Sequence, residues 1–208
     1  MAKKLDRGTV RLGDVADVFV GMATSRKEGS DAQEIPLLQV GNINEQTGST
    51  DALGDLNKMP LGDKSGIDRY RVQPGDVVVS CKGTLLKTGL VQEATAGAVA
   101  TANLVTVRPK GVVSTETLYA LLKSEGAKRR LKGLQKVGAT IASLSYKDIQ
   151  SLEFSLPDIA TQRKIANLLD AHREYVEATT KALRDREELL RGLVEKAFWG
   201  DPTKGSGR

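Results

Sequence analysis

Between Asp158 and Arg191 the chain carries neither glycine nor proline, and its seam residues recur alternately every four and three positions. Ile165, Leu169, His172, Val176, Thr179, Leu183, Arg186, Leu190, Leu193 and Ala197 all fall on that seam. A spacing that averages 3.5 keeps one stripe on one side of an α-helix and is the mark of a coiled coil. Over about forty residues, at ~1.5 Å rise each, such a helix is on the order of 60 Å long. One helix of that length cannot cover its own seam. It either folds back on the rest of the chain or meets a helix from another chain, and the second is the expectation. His172, Thr179 and Arg186 are polar seam positions, which weaken a coiled coil while fixing its register and orientation. The pairing predicted is therefore specific and antiparallel.

Ahead of Pro157 the pattern is different. Glycine punctuates short runs rich in Val, Leu, Ile and Thr, and those runs read as strands over Ile35 to Val40, Asp76 to Ser80, Gly89 to Gln92, Val99 to Arg108 and Leu152 to Leu156. Leu12, Val15, Ala16 and Phe19 have helical spacing and predict a short opening helix. Thr117 to Lys123 and Ala127 to Leu134 read as helices, and Ser145-x-x-Asp148 is a capping box for one more turn. The stretch from Gly41 to Asp68 is polar and uncommitted, a composition that more often serves recognition than packing. The fold class expected is α+β: a strand-rich domain over residues 1–157, a long coiled-coil helix over 158–200 and a flexible tail over 201–208.

Charge is unevenly spread. Thirty-one basic and twenty-six acidic residues leave +5 overall. Between Leu121 and Lys147 seven basic residues (Lys123, Lys128, Arg129, Arg130, Lys132, Lys136, Lys147) face one acid, Glu125, a local +6. From Asp158 onward ten bases and nine acids nearly cancel. A basic segment beside a balanced helix suggests polyanion binding in one place and protein contact in another. Aromatic residues make up only 4% of the chain, too few for a single-strand platform of stacked bases, so the polyanion expected is double-stranded DNA.

Chemistry is poorly supplied. One cysteine, Cys81, and one histidine, His172, cannot build a Cys/His zinc site, and His172 lies in a charged helical stretch rather than a triad. There is no glycine-rich cofactor turn paired with an Asn-Pro-Pro-Tyr loop, as a base methyltransferase needs. Asp76 and Lys82 resemble part of a nuclease site, but Ser80 stands where the second acid belongs. Gly83-Thr84-Leu85-Leu86-Lys87-Thr88-Gly89 is no phosphate loop of the Gly-x4-Gly-Lys type; it is a hairpin loop or a place where Lys82 and Lys87 meet phosphate. No cofactor is expected. No apolar run is long enough to cross a bilayer and the start has no apolar core behind its basic residues, so the expected location is the cytoplasm.

Several short motifs occur in a fixed order: Leu12-Gly13-Asp14-Val15-Ala16 with Gly21, Pro74-Gly75-Asp76-Val77-Val78, Gly138-Ala139-Thr140 before Leu144 and Ile149, then Pro157-x4-Gln162-x2-Ile165-Ala166, and finally Phe198-Trp199-Gly200. In this order the sequence resembles the specificity subunits of type I restriction-modification systems. The resemblance implies a target-recognition domain that reads DNA and a helix that spaces domains and docks DNA methyltransferase subunits, and a restriction or translocase subunit where the system has one. Such subunits usually carry two recognition domains and two long helices, and here only one of each is found. The chain is thus expected to be a natural half-subunit acting as a homodimer. A truncated longer chain is the alternative, and Gly205-Ser206-Gly207-Arg208 is the kind of end that cloning leaves.

The candidate DNA-binding residues are Lys82, Lys87, Lys128, Arg129, Arg130, Lys132 and Lys136. The candidate dimer or partner interface comprises Gln162, Ile165, Leu169, His172, Val176, Leu183, Arg186 and Leu190. No catalytic residue and no metal ligand is expected. A coiled-coil assembly protein that binds no DNA, or a DNA-modifying enzyme in its own right, remain the alternative functions.

Overall fold

The computed structural model describes residues 8–23, 33–61, 66–82, 86–135 and 143–200. It is an α+β protein whose contacts divide it into a compact unit through Asn167 and a second unit from Leu168 onward.

The first unit opens with β1 (Thr9–Arg11), a single turn α1 (Leu12–Val15) and β2 (Ala16–Val20). The predicted opening helix thus shrinks to one turn. Asp14 Oδ2 accepts the Arg11 amide at 3.1 Å and starts the turn. From Ala16 the alternation of buried and open side chains passes to strand, because Val18, Phe19 and Val20 favour a pleated surface. β3 (Gln33–Leu38) begins and ends two residues ahead of the strand predicted over Ile35 to Val40, and the stretch from Gly41 to Asp68 is less idle than its polarity suggested. It holds β4 (Lys58–Leu61), which the sequence reading missed, and it buries Ile43 and Leu56. β4 is an edge strand, where Pro60 costs no ladder bond.

β5 (Val77–Ser80) and β6 (Thr88–Leu90) form a hairpin. The single strand predicted over Val99 to Arg108 is in fact two, β7 (Val99–Ala100) and β8 (Leu104–Pro109), separated by a turn in which the Leu104 amide reaches the Thr101 carbonyl at 2.8 Å. The break moves the chain between sheets: β7 pairs with β3 in a three-stranded sheet of order β4-β3-β7, and β8 lies between β2 and β5 in a four-stranded sheet of order β2-β8-β5-β6. At this crossing the end of β2 runs against the backbone of Ala100 and Thr101, and a Cβ at Gly21 would overlap both carbonyls.

Side chains alternating along β3 enter two different apolar clusters. Leu38 joins Ile43, Val72, Val78, Val91 and Leu104 on one side, while Ile35 and Leu37 meet Ile67 and Val99 on the other. α2 (Thr115–Lys123) and α3 (Glu125–Leu134) are joined at Ser124, whose hydroxyl donates to the Leu121 carbonyl at 2.7 Å and accepts the Ala127 amide at 3.2 Å. One serine thus ends one helix and begins the next. α4 (Tyr146–Gln150) starts with the predicted capping box, Ser145 and Asp148 exchanging bonds of 2.8 and 3.2 Å. β9 (Glu153–Ser155) returns to pair with β1, a partner the sequence reading left out.

The long helix α5 runs from Ile159 to Trp199 without interruption. Asp158 Oδ1 accepts the Thr161 amide at 2.7 Å and caps its start. Lys136, the loop residues 83–85, the Gly138-Ala139-Thr140 motif and the tail 201–208 lie outside the described residues.

Candidate nucleic-acid interface

α3 buries Ala127 and Leu131, one turn apart, so its outer face is the opposite side of the helix, where Arg129 and Lys132 stand. The basic residues on it do not share one environment. Arg129 and Lys132 are exposed, three positions apart, and make no hydrogen bond or ion pair among the described residues. Lys128 is half-buried and lies 3.2 Å from the Glu125 carboxylate. Arg130 turns toward β9, donating from Nη1 to the Glu153 carbonyl at 2.7 Å. Its charge anchors a helix to a strand. Lys123, at the end of α2, donates to the Tyr119 hydroxyl at 2.8 Å and to the Glu45 carbonyl at 3.3 Å.

The two lysines of the glycine-bracketed hairpin also differ. Lys82 is exposed and its backbone bridges to Ser143 ahead of α4. Lys87 has its amide fixed by Ser80 Oγ at 2.9 Å, and its Nζ lies 3.7 Å from Glu45 Oε2. Lys87 and Lys123 therefore both converge on Glu45. Among the described residues no hydrogen bond or ion pair joins the cations of α3 to Lys82 or Lys87.

Glu45 belongs to a turn that sequence reading left as an uncommitted loop. Asn44 Oδ1 accepts the amides of Gln46 and Thr47 at 2.9 and 3.1 Å, and the Asn44 carbonyl accepts the Gly48 amide at 2.7 Å. Gly48 has φ +71° and rests on the buried Tyr119 ring, where a Cβ would overlap the tyrosine hydroxyl. Asn-Glu-Gln-Thr-Gly is a recognisable turn composition, but nothing local in it announces Tyr119 as its floor.

Asp76 is committed to structure rather than to chemistry. Only 1% exposed, it receives both arms of Arg108, at 2.8 Å on Oδ1 and 2.7 Å on Oδ2, and also accepts the Gln73 amide at 2.8 Å. That bidentate bond to Asp76 raises the Arg108 pKa above its ordinary value. Burial raises the Cys81 thiol pKa as well, against the opposing charge of Lys82. Among the described residues no group of three or more His, Cys, Asp or Glu is placed to hold a metal ion.

On α5 the predicted seam residues fall in different surroundings. Gln162 is buried: its Oε1 accepts the Ser114 amide at 3.0 Å and its Nε2 donates to the Pro157 carbonyl at 3.1 Å. Ile165, Leu169 and Val176 are half-buried, whereas His172, Leu183, Arg186 and Leu190 are exposed. The seam residue Leu193 is more than half exposed too, and so are Leu168, Tyr175 and Leu189 beside the seam, so the helix carries an open apolar stripe along and next to it. Phe198 and Trp199 at its end are more open still.

The family of type I restriction modification DNA specificity domains matches residues 5–186. The chain belongs to that family. Its fold recurs in solved structures. A chain from work on complex assembly and conformational transition of the type I R-M system is 22% identical, with a TM-score of 0.62, over 96% of this chain and 48% of the other. The S subunit from M. genitalium is 16% identical with a TM-score of 0.64 over 98% and 49%, and the HsdS subunit from Thermoanaerobacter tengcongensis 18% with 0.55 over 96% and 47%. The chain spans about half the length of these proteins. No curated protein matches it by sequence.

The ordered motifs of a specificity domain acquire physical reasons here. In Pro157-x4-Gln162 the proline carbonyl and the glutamine amide are bonded to each other, and the same glutamine satisfies the amide of Ser114, the N-cap of α2. The entry to the long helix is thereby tied to the start of α2 within the first unit. In Pro74-Gly75-Asp76 the glycine adopts φ +88° and delivers the aspartate to Arg108.

Proposed function

We propose that this chain is a non-catalytic, sequence-specific subunit that reads double-stranded DNA and directs DNA methyltransferase subunits, with a restriction or translocase subunit where present, to a bipartite site. The observation that carries the reading is the specificity-domain match over residues 5–186. The geometry supports a division of labour: exposed Arg129 and Lys132 on α3, with Lys82 and Lys87 on the hairpin, meet backbone phosphate, and the α5 stripe meets protein. No cofactor is bound by the chain itself, the methyl donor being held by the partner. The system works in the cytoplasm, where its DNA is; no helix among the described residues is long and apolar enough to cross a membrane.

With one recognition unit and one open stripe per chain, two copies pair their α5 helices antiparallel through Leu169, Val176, Leu183 and Leu190, with His172 and Arg186 setting the register. A two-fold dimer reads two inverted half-sites separated by an unread spacer. Equilibrium sedimentation combined with a duplex gel shift tests both halves. A mass near 22.3 kDa at tens of micromolar would refute the homodimer, and the absence of any salt-dependent shift would refute the DNA reading. Co-expression with a methyltransferase subunit is expected to give a stable complex that is lost when residues 168–200 are deleted.

A further inference from the structure

A side chain that reads a base needs a fixed backbone, donor and acceptor groups that match a base edge, and neighbouring cations to hold the duplex in register. The turn from Asn44 to Gly48 meets all three conditions. Its backbone is locked from within by the Asn44 side chain and from below by Tyr119, and Leu90 donates to the Gly48 carbonyl at 2.7 Å, tying the turn to β6. Its tip, Asn44, Glu45 and Gln46, is exposed.

The three tip side chains are not equally available. The Asn44 oxygen is spent on two amides, and the Glu45 carboxylate is balanced by Lys87. Gln46 uses only its backbone amide; its side-chain carboxamide makes no hydrogen bond among the described residues. Lys87 and Lys123 flank it from two different elements, β6's approach and the end of α2, and both already lean on this turn. Because Lys87 offsets Glu45, the tip does not repel a phosphate backbone.

We infer that Gln46 is a specificity-determining residue that takes an adenine in the major groove, its carboxamide accepting from the adenine amino group and donating to N7. The inference rests on the reading of this domain as a duplex-DNA binder. Lys87 holds an adjacent phosphate and carries no sequence information, while Lys123 stays beneath the turn as its support. The rigidity of the turn favours selectivity, since a fixed backbone narrows the positions the carboxamide can reach.

The test is selection of the full chain against randomised duplexes, for the natural protein, Gln46→Ala and Gln46→Glu. The natural chain is expected to enrich a site containing an adenine. Gln46→Ala is expected to lose the preference at that one position and to bind the selected duplex about ten-fold more weakly, with binding to an unrelated duplex unchanged. Gln46→Glu is expected to move the preference there to cytosine, whose amino group a carboxylate accepts. A Gln46→Ala site identical at every position would overturn the role of Gln46 and leave the DNA reading standing. Equal loss on selected and unrelated duplexes, with an unchanged unfolding midpoint, would also overturn it, because the residue would then be touching phosphate. If the natural chain enriches no sequence, both readings fall.

Discussion

Of the basic residues between Leu121 and Lys147, the structure ties several to protein groups, and this makes a quantitative statement about DNA binding possible. Arg129 and Lys132 are exposed on one face of α3 and unpaired among the described residues, whereas Arg130 holds the Glu153 carbonyl at 2.7 Å and Lys128 faces Glu125 at 3.2 Å. Each phosphate neutralised contributes about 0.9 to the slope of log affinity against log salt, so Arg129→Ala with Lys132→Ala should flatten the slope by about 1.8. Between roughly 50 and 200 mM salt that difference changes the ratio of natural to variant affinity about twelve-fold. Arg130→Ala should behave oppositely. It leaves the slope unchanged and lowers stability by about 1–2 kcal/mol, since it removes a charge-assisted bond to the β9 backbone. Fluorescence anisotropy on a labelled duplex over a salt series reads the slopes, and urea unfolding reads the stability. An unchanged slope for the double variant would make this face merely solvated. A flattened slope for Arg130→Ala at unchanged stability would mean that the assignment of charges to structure and to DNA is reversed.

Four other outcomes follow from the geometry. Asp76→Ala should destabilise the fold by about 3 kcal/mol, because Arg108 loses a bidentate partner next to a 1% exposed site, and Asp76→Ala with Arg108→Met should recover part of that loss in denaturant unfolding. Gly48→Ala should cost about 2 kcal/mol or more, combining the left-handed backbone at φ +71° with overlap on Tyr119, and replacing Tyr119 by a smaller residue in the same chain should reduce the cost. Gln162→Ala should leave the Ser114 amide unsatisfied at about 1–3 kcal/mol and raise hydrogen exchange in the first turns of α5 while its middle stays protected. Cys81, 3% exposed with its thiol pKa raised by burial, should resist alkylation at about pH 8 until urea is added. The sign is that of a group which keeps its proton in the fold: its contribution is present below the ordinary thiol value and is lost as pH rises through the folded one.

What was legible in the sequence was whatever depends on neighbours in the chain. The α5 helix, the capping box at Ser145 and the strand β5 are set by periodicity, a four-residue pattern and a run of Val between turn residues. What failed depends on pairing across the chain. β1 is three residues long and exists because β9, some 140 positions later, supplies its partner, and Val99 to Arg108 reads as one strand because nothing local says that the chain changes sheets at Thr101. Leu12 to Phe19 went the same way: a helical spacing that yields to β8 pairing with Ala16 to Val20.

The candidate site divides along the same line, and the division explains why charge counting over-reads a basic segment. Composition reports how many cations a segment carries; only tertiary contacts report how many remain to be offered to a ligand. Lys123 is used to support the Asn44–Gly48 turn, Arg130, though exposed, to seat α3 on β9, and Lys128 is balanced by a neighbour, which leaves Arg129, Lys132 and Lys147 exposed and without a partner among the described residues. A protein that reads sequence gains from this reduction. Phosphate contacts raise affinity for every duplex alike, so each cation withdrawn into the fold lowers non-specific binding without touching base readout. On the proposed DNA reading, the same residues that stiffen the domain would widen the gap between the right site and any other duplex. Releasing Lys123 by Tyr119→Phe should then raise affinity for unrelated duplex more than for the selected one, and equal gains on both would contradict the argument.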